Sequence, residues 1–140
     1  MVKNNMDKKR VLIIEDNPVI GMVIKHCIMN MYTQAEIGMS TSAEEGETLF
    51  LGSQWDLIIL GYQLPEMDGL ELIHEINPVI GATKWIMISG SNSSELRSEV
   101  MRLGGYNYLV EPFSLEDLKK VVGQALHLQD EVKVSNMMTG

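Results

Sequence analysis

The sequence has 140 residues, 45% hydrophobic and 21% charged, which gives one compact domain with a buried core and excludes a disordered chain. Eleven Lys and Arg against nineteen Asp and Glu leave a formal charge of −8, which repels nucleic acid phosphates and anionic lipid and argues against direct binding to either. The lone cysteine, Cys27, excludes an internal disulfide and a structural zinc site built from thiolates.

In chain order, Arg10 to Glu15 (RVLIIE) is a short continuous apolar run of the kind a strand buried on both faces shows. Asn17 then caps a helix with Pro18 at its first position, and Ile20, Ile24, Cys27, Ile28 and Met31 recur at helical spacing. A weaker strand is predicted over 34–39. Ser42 with Glu45 three residues later is a capping-box pattern for a helix to about Leu51, closed by Gly52. Asp56 to Leu60 (DLIIL) is the second buried run, and the segment Gly61 to Gly69, with Pro65 and Asp68-Gly69 inside it, is rich in turn formers. A helix over 70–76 stops before Pro78. A strand over 84–88 follows, and Asn92 with Glu95 caps a helix that runs to Gly104 and Gly105. Tyr106 to Val110 is a short fifth strand, and Ser114 opens a last helix carried by Leu115, Leu118, Val121, Val122 and Ala125.

Strands alternating with helices in this way predict an α/β fold, a doubly wound, five-stranded parallel sheet covered on both faces. The predicted organisation is an N-terminal arm (1–9), one domain (10–128) and a C-terminal tail or linker stub (129–140), where apolar periodicity is lost. No apolar run approaches the roughly 18 residues that span a bilayer. The basic start, Lys3, Lys8, Lys9 and Arg10, meets Glu15 after four apolar residues and is no signal peptide. No membrane association and a cytoplasmic location are expected.

In such a sheet, ligands gather at the carboxyl ends of the strands. Those positions are Glu15 and Asp16, Gly61, Ser89 and Glu111. Two adjacent carboxylates repel unless a cation or hydrogen-bond donors offset them, so Glu15 and Asp16 read either as ligands for a hard divalent ion such as Mg²⁺ or as a solvated acidic turn. Phosphate-binding loops, a nucleophile elbow and a zinc-protease helix are all missing from the sequence, so no enzymatic activity is expected. His26, His74 and His127 are scattered over different helices, Cys27 lies on an apolar stripe, and Asp68 before Gly69 is a turn former first. Trp55 and Trp85, each at or near a strand start, read as core-edge packing.

Four motifs, VLIIEDNPV, DLIIL followed by LPEMDGLEL, IMISG and GGYNYLVEPF, stand in an order and spacing that resemble the receiver domain of bacterial two-component response regulators, over about Arg10 to Leu126. The resemblance implies a CheY-like, flavodoxin-like (βα)5 fold with strand order 2-1-3-4-5. In an ordinary receiver an aspartate ending the third strand accepts a phosphoryl group from a histidine kinase, with Mg²⁺ held by the acidic pair. A hydroxyl residue and a lysine then hold the phosphoryl oxygens. By resemblance, Glu15 and Asp16 match the acidic pair, with Gln63 in the same pocket as a further metal candidate; Ser89 matches the hydroxyl, and Tyr108 the switch aromatic. Pro65, Asp68, Gly69 and Pro112 are structural turn residues, and the Glu111-Pro112 bond is expected to be cis.

Two positions break the pattern. Gly61 stands where the nucleophile belongs and has no side chain with which to attack phosphorus. Glu111 replaces the lysine and turns an attractive charge into a repulsive one. The expectation is therefore a pseudo-receiver that needs no cofactor, with at most weak binding of Mg²⁺ or another divalent cation. It would act by protein–protein binding through the face of the fourth helix, fifth strand and fifth helix, as a homodimer or with a signalling kinase or output protein. The alternatives are a phosphoacceptor that uses Asp16 or Asp68 with Mg²⁺, and a cation or small-ligand sensor at Glu15, Asp16 and Glu111. The mutual repulsion of those three carboxylates is expected to be offset by a raised pKa, by a cation, or by hydrogen bonds from Ser89 and backbone amides.

Overall fold

The computed structural model describes residues 8–139, with side chains to residue 127. Five strands, β1 (Arg10–Ile14), β2 (Glu36–Ser40), β3 (Leu57–Gly61), β4 (Lys84–Ser89) and β5 (Asn107–Val110), form one sheet in the order β2-β1-β3-β4-β5. Every pairing is parallel. The intervening helices are α1 (Pro18–Met31), α2 (Ala43–Leu51), α3 (Gly69–Ile76), α4 (Ser94–Arg102) and α5 (Leu115–Thr139). A 3₁₀ turn, Asn77–Val79, follows α3 and carries the predicted stop at Pro78.

The continuous apolar runs have a physical cause in this layering. Side chains alternate across a strand, so Val11, Ile13, Leu57, Ile59, Ile86, Ile88 and Leu109 meet α1 and α5 on one face. Leu12, Ile14, Ile58, Leu60, Trp85, Met87 and Tyr108 meet α2, α3 and α4 on the other. A strand buried on both sides has no polar face, and each fully buried Ile or Leu contributes about 1.5–3 kcal/mol. Cys27, 5% exposed, packs in the first of these cores. Burial pushes its thiol pKa up, which fits an inert packing residue.

Local chemistry sets the helix starts. Asn17 Oδ1 accepts from the amides of Val19 (2.9 Å) and Ile20 (3.2 Å), with Pro18 at the first helical position. Ser42 Oγ accepts from the Glu45 amide (3.2 Å). The reciprocal half of the predicted capping box is supplied differently, because the Ser42 amide donates to Ser40 Oγ (3.2 Å). Ser42→Ala removes one of these bonds and is expected to cost about 1 kcal/mol in urea unfolding.

Three expectations are corrected. The cap of α4 is Ser93, whose Oγ accepts from the Leu96 amide (3.2 Å), while the predicted cap Asn92 faces Arg97 instead. The weak second strand starts at Glu36, because the Ala35 amide donates to the Tyr32 carbonyl (3.0 Å) and closes a turn before it. The last helix does not stop near Leu128 but continues to Thr139, since no proline or glycine stands between Leu128 and Gly140. Of the predicted arm, residues 1–7 lie outside the described residues; Lys9, at its end, is 1% exposed, and its carbonyl accepts from the Glu36 amide (2.8 Å).

Candidate functional site

Parallel strands in register bring their carboxyl ends to one rim. Ile14 is level with Leu60 and with Ser40, Gly61 with Ile88, and Ser89 with Val110. The residues just past those positions therefore meet, and they line a cavity of about 230 Å³ that includes Glu15, Asp16, Gly61, Gln63, Ser89 and Glu111. Tyr108 and the turn residues Pro65, Asp68, Gly69 and Pro112 stand outside that lining.

Glu15 and Asp16 line the same cavity but differ in burial. Asp16 is exposed, whereas Glu15 is 6% exposed and turned into the sheet rim. A Cβ built on Gly61 would lie 3.0 Å from Glu15 Oε1 and 3.5 Å from its Cδ. The Glu15 carboxyl thus fills the volume where a side chain at position 61 would begin. Its second oxygen accepts from the Asn17 amide (2.9 Å), which ties it to the start of α1.

The electrostatics follow from this placement. Burial, a hydrogen bond with the Asp16 side chain, and the charges of Glu111 and Asp16 raise the Glu15 pKa from 4.5 to about 7, against the opposing Asn17 amide. The Glu111 pKa is also raised, first by burial and then by the Asp16 charge. Of the expected ways to offset carboxylate repulsion, the rim therefore uses a raised pKa and a backbone donor. Ser89 Oγ instead accepts from the Ser91 amide (3.0 Å).

A divalent cation does not fit these residues as they stand. Gly61 offers no side-chain oxygen, and the Glu15 carboxyl takes up the space where one would begin. Among the described residues, no three His, Cys, Asp or Glu side chains are grouped so that they could hold a metal ion.

From Ser89 a chain of hydrogen bonds leaves the cavity. The Ser91 amide is held by Ser89 Oγ, and the Ser93 amide by Ser91 Oγ (3.3 Å). The Ser91 carbonyl accepts from Tyr108 Oη (2.6 Å), and the Arg97 guanidinium stands 4.9 Å from the Tyr108 ring centroid. Tyr108 is 3% exposed and packs in the second core. Sequence reading missed Ser91, Ser93 and Arg97. The signal was the spacing Ser89-x-Ser91-x-Ser93, since a hydroxyl that bonds an amide two residues on is a common local turn.

The turn residues shape the rim from below. Asp68 caps α3, its Oδ1 accepting from the Glu71 amide (2.8 Å), and the Gly69 amide donates to the Tyr62 carbonyl (2.6 Å). Gln63 and Asp68 form an isolated antiparallel bridge across this turn. The Pro65 carbonyl accepts from the Met67 amide (2.9 Å). The Glu111-Pro112 bond is cis, as expected, and the Glu111 amide donates to the Ser89 carbonyl (2.8 Å).

A second concavity, about 600 Å³ and mostly apolar, lies between α1 and α5 around Val19, Met22, Val23 and Leu115. Among the described residues, no helix is long and apolar enough to cross a membrane.

A family model described as the response regulator receiver domain matches residues 11–123. A probable C4-dicarboxylate response regulator of Halalkalibacterium halodurans is 31% identical over 115 residues, covering 82% of this chain and 50% of that protein. The nitrate/nitrite response regulator of Escherichia coli K12 is 27% identical over 122 residues, covering 87% and 56%. The chain thus spans about half the length of the curated relatives it matches. Among solved structures, a CheY-like receiver domain from Methanospirillum hungatei aligns with a TM-score of 0.79 at 25% identity, covering 88% of this chain and 97% of that one. The receiver domain of a putative repressor from Vibrio parahaemolyticus aligns at 0.82 and 23% identity, covering 95% and 98%, and supports the fold alone.

Proposed function

The chain belongs to the response regulator receiver family, and from that premise we propose that it transmits its signal by protein–protein binding, without phosphorylation at position 61 and without enzymatic activity of its own. The observation that carries this reading is the Glu15 carboxyl filling the side-chain space of Gly61. Phosphoryl transfer depends on a nucleophile in line with the donor and on cations that offset charge in the transition state. At this rim a glycine occupies the nucleophile's position, and Glu111 stands where a cation would pair with phosphoryl oxygen. Asp68 is occupied as the cap of α3, and Asp16 is exposed beside Glu15 rather than set in the place of residue 61.

The face of α4, β5 and α5 is the surface we assign to the partner, a second copy of the chain or a kinase or output protein. In support, β5 is an edge strand, and the loop from the cavity ends there on Tyr108 and Arg97. No nucleic acid contact is assigned, in keeping with the charge of −8.

Intact-mass spectrometry after incubation with a small phosphodonor and Mg²⁺ tests the reading. The natural chain is expected to remain unlabelled, while the Gly61→Asp, Glu111→Lys double variant gains one phosphoryl group. A stoichiometric phosphoryl group on the natural chain would identify another acceptor and defeat the reading.

A further inference from the structure

We propose that Glu15 is a built-in occupant of the rim cavity: it replaces the missing side chain of residue 61, keeps divalent cations out, and holds the loop from Ser89 to Tyr108 in one state. This rests on the receiver reading above and goes further, because it makes the resting geometry a property of the Glu15–Gly61 pair. The two residues are complementary. One strand end carries a long side chain, its neighbour carries none, and the carboxyl of the first lies 3.0 Å from where the second would branch.

Three further features make this a seat rather than a chance rotamer. The carboxyl is nearly out of solvent, at 6% exposure for the residue. Its Oε2 takes the Asn17 amide at 2.9 Å, and Asn17 also caps α1. Leu64 Cδ2 lies 3.7 Å from the same built point at Gly61 and gives the seat an apolar wall. A carboxyl is held in one place when it has both a donor and a shaped volume. Ser89 and Glu111 line the same cavity, and the Glu111 amide is bonded to the Ser89 carbonyl at 2.8 Å. From Ser89 the serine ladder leads to Ser91, whose carbonyl holds Tyr108 Oη. The occupant thus shares its cavity with Ser89, from which hydrogen bonds lead through Ser91 to the buried tyrosine.

The test reads backbone amide resonances of the full chain while MgCl₂ alone is titrated into the millimolar range. The natural protein is expected to show no saturable shift at Ser89, Ser91 or Tyr108. In Glu15→Ala, without any added ligand, the Ser91 and Tyr108 amides are expected to move as well as those of Asp16, Asn17 and Gly61. A role confined to local packing would move only the latter three. Glu15→Gln keeps the shape and is expected to leave Ser91 and Tyr108 at their natural positions.

If Glu15→Ala does not fold, Gly61→Asn supplies the same reading, because its side chain competes for the seat and drives Glu15 out. Saturable Mg²⁺ shifts in the natural chain, or unmoved Ser91 and Tyr108 amides when the seat is emptied, would overturn the proposal. A natural chain that binds Mg²⁺ yet stays unlabelled by phosphodonor would sink the occupant while leaving the receiver reading intact.

Discussion

A chain carrying Gly69→Ala is expected to unfold about 10 °C below the natural protein, a loss of about 3 kcal/mol. The cause is backbone rather than side chain. A Cβ at position 69 would stand 2.5 Å from the Gly61 carbonyl oxygen and 3.0 Å from Met87 Sδ. Met87 can shift, but the Gly61 carbonyl belongs to β3, which is paired with β4 up to that residue. Relief therefore has to come from moving the end of β3 or the start of α3, and the Tyr62–Gly69 hydrogen bond of 2.6 Å resists both. Gly90→Ala is the control: a Cβ there meets nothing within 4 Å, and the change is expected to stay within about 0.5 kcal/mol. Thermal unfolding by circular dichroism measures both. Equal effects at the two sites would show that the close approach at Gly69 is not the cause.

The second large effect is a fall in stability as pH rises from 5 to 8. In the folded chain the Glu15 pKa stands at about 7 rather than 4.5, so between those values the folded state holds a proton that the unfolded state has released. Stability from this group is fully present below pH 4.5 and is lost as pH climbs through about 7. Glu111, raised in the same direction, adds to the loss. Discounted for solvent screening at the cavity edge, the expected size is on the order of 2 kcal/mol. Urea unfolding at several pH values checks it, with Glu15→Gln as the comparison. That variant carries a neutral side chain at every pH, so its profile is expected to be flatter and its stability at pH 8 to exceed that of the natural protein. A natural profile no steeper than that of Glu15→Gln between pH 5 and 8 would show that Glu15 is ionised in the folded state throughout.

Much of the fold was legible because burial on both faces leaves a mark that needs no tertiary knowledge. VLII and LIIL are apolar throughout since each side of β1 and β3 meets helices. β2 was harder to place, as its residues are mostly half-buried at a sheet edge and its start depends on the Tyr32–Ala35 turn. The caps were legible where one candidate stood alone, as at Asn17, and missed by one residue where Asn92 and Ser93 competed. At the site, the sequence located Glu15, Asp16, Gly61, Ser89 and Glu111, because strand ends in a parallel sheet converge by register, but not Tyr62 and Gly90, which line the same cavity. The inward turn of Glu15 was not legible. It follows from an empty volume beside Gly61, and volume is a property of packed neighbours rather than of residue type. The link from Ser89 to Tyr108 was hidden for a similar reason, since the acceptor is a main-chain carbonyl that any residue supplies.

The sheet order also bears on how the chain comes to be made. Translation delivers β1, β2 and β3 in sequence, yet the finished sheet sets β1 between the other two. β1 can gain β2 early, but its other edge, Val11 to Ile14, has no mate until Leu57 to Leu60 has been synthesised. At about 5–20 residues per second, that edge waits a few seconds, apolar and unpaired. A nascent chain stalled in that interval offers a template to any extended segment nearby, and released fragments ending before Leu57 are expected to aggregate. Once Gly61 clears the ribosome, the same edge is sealed by β3.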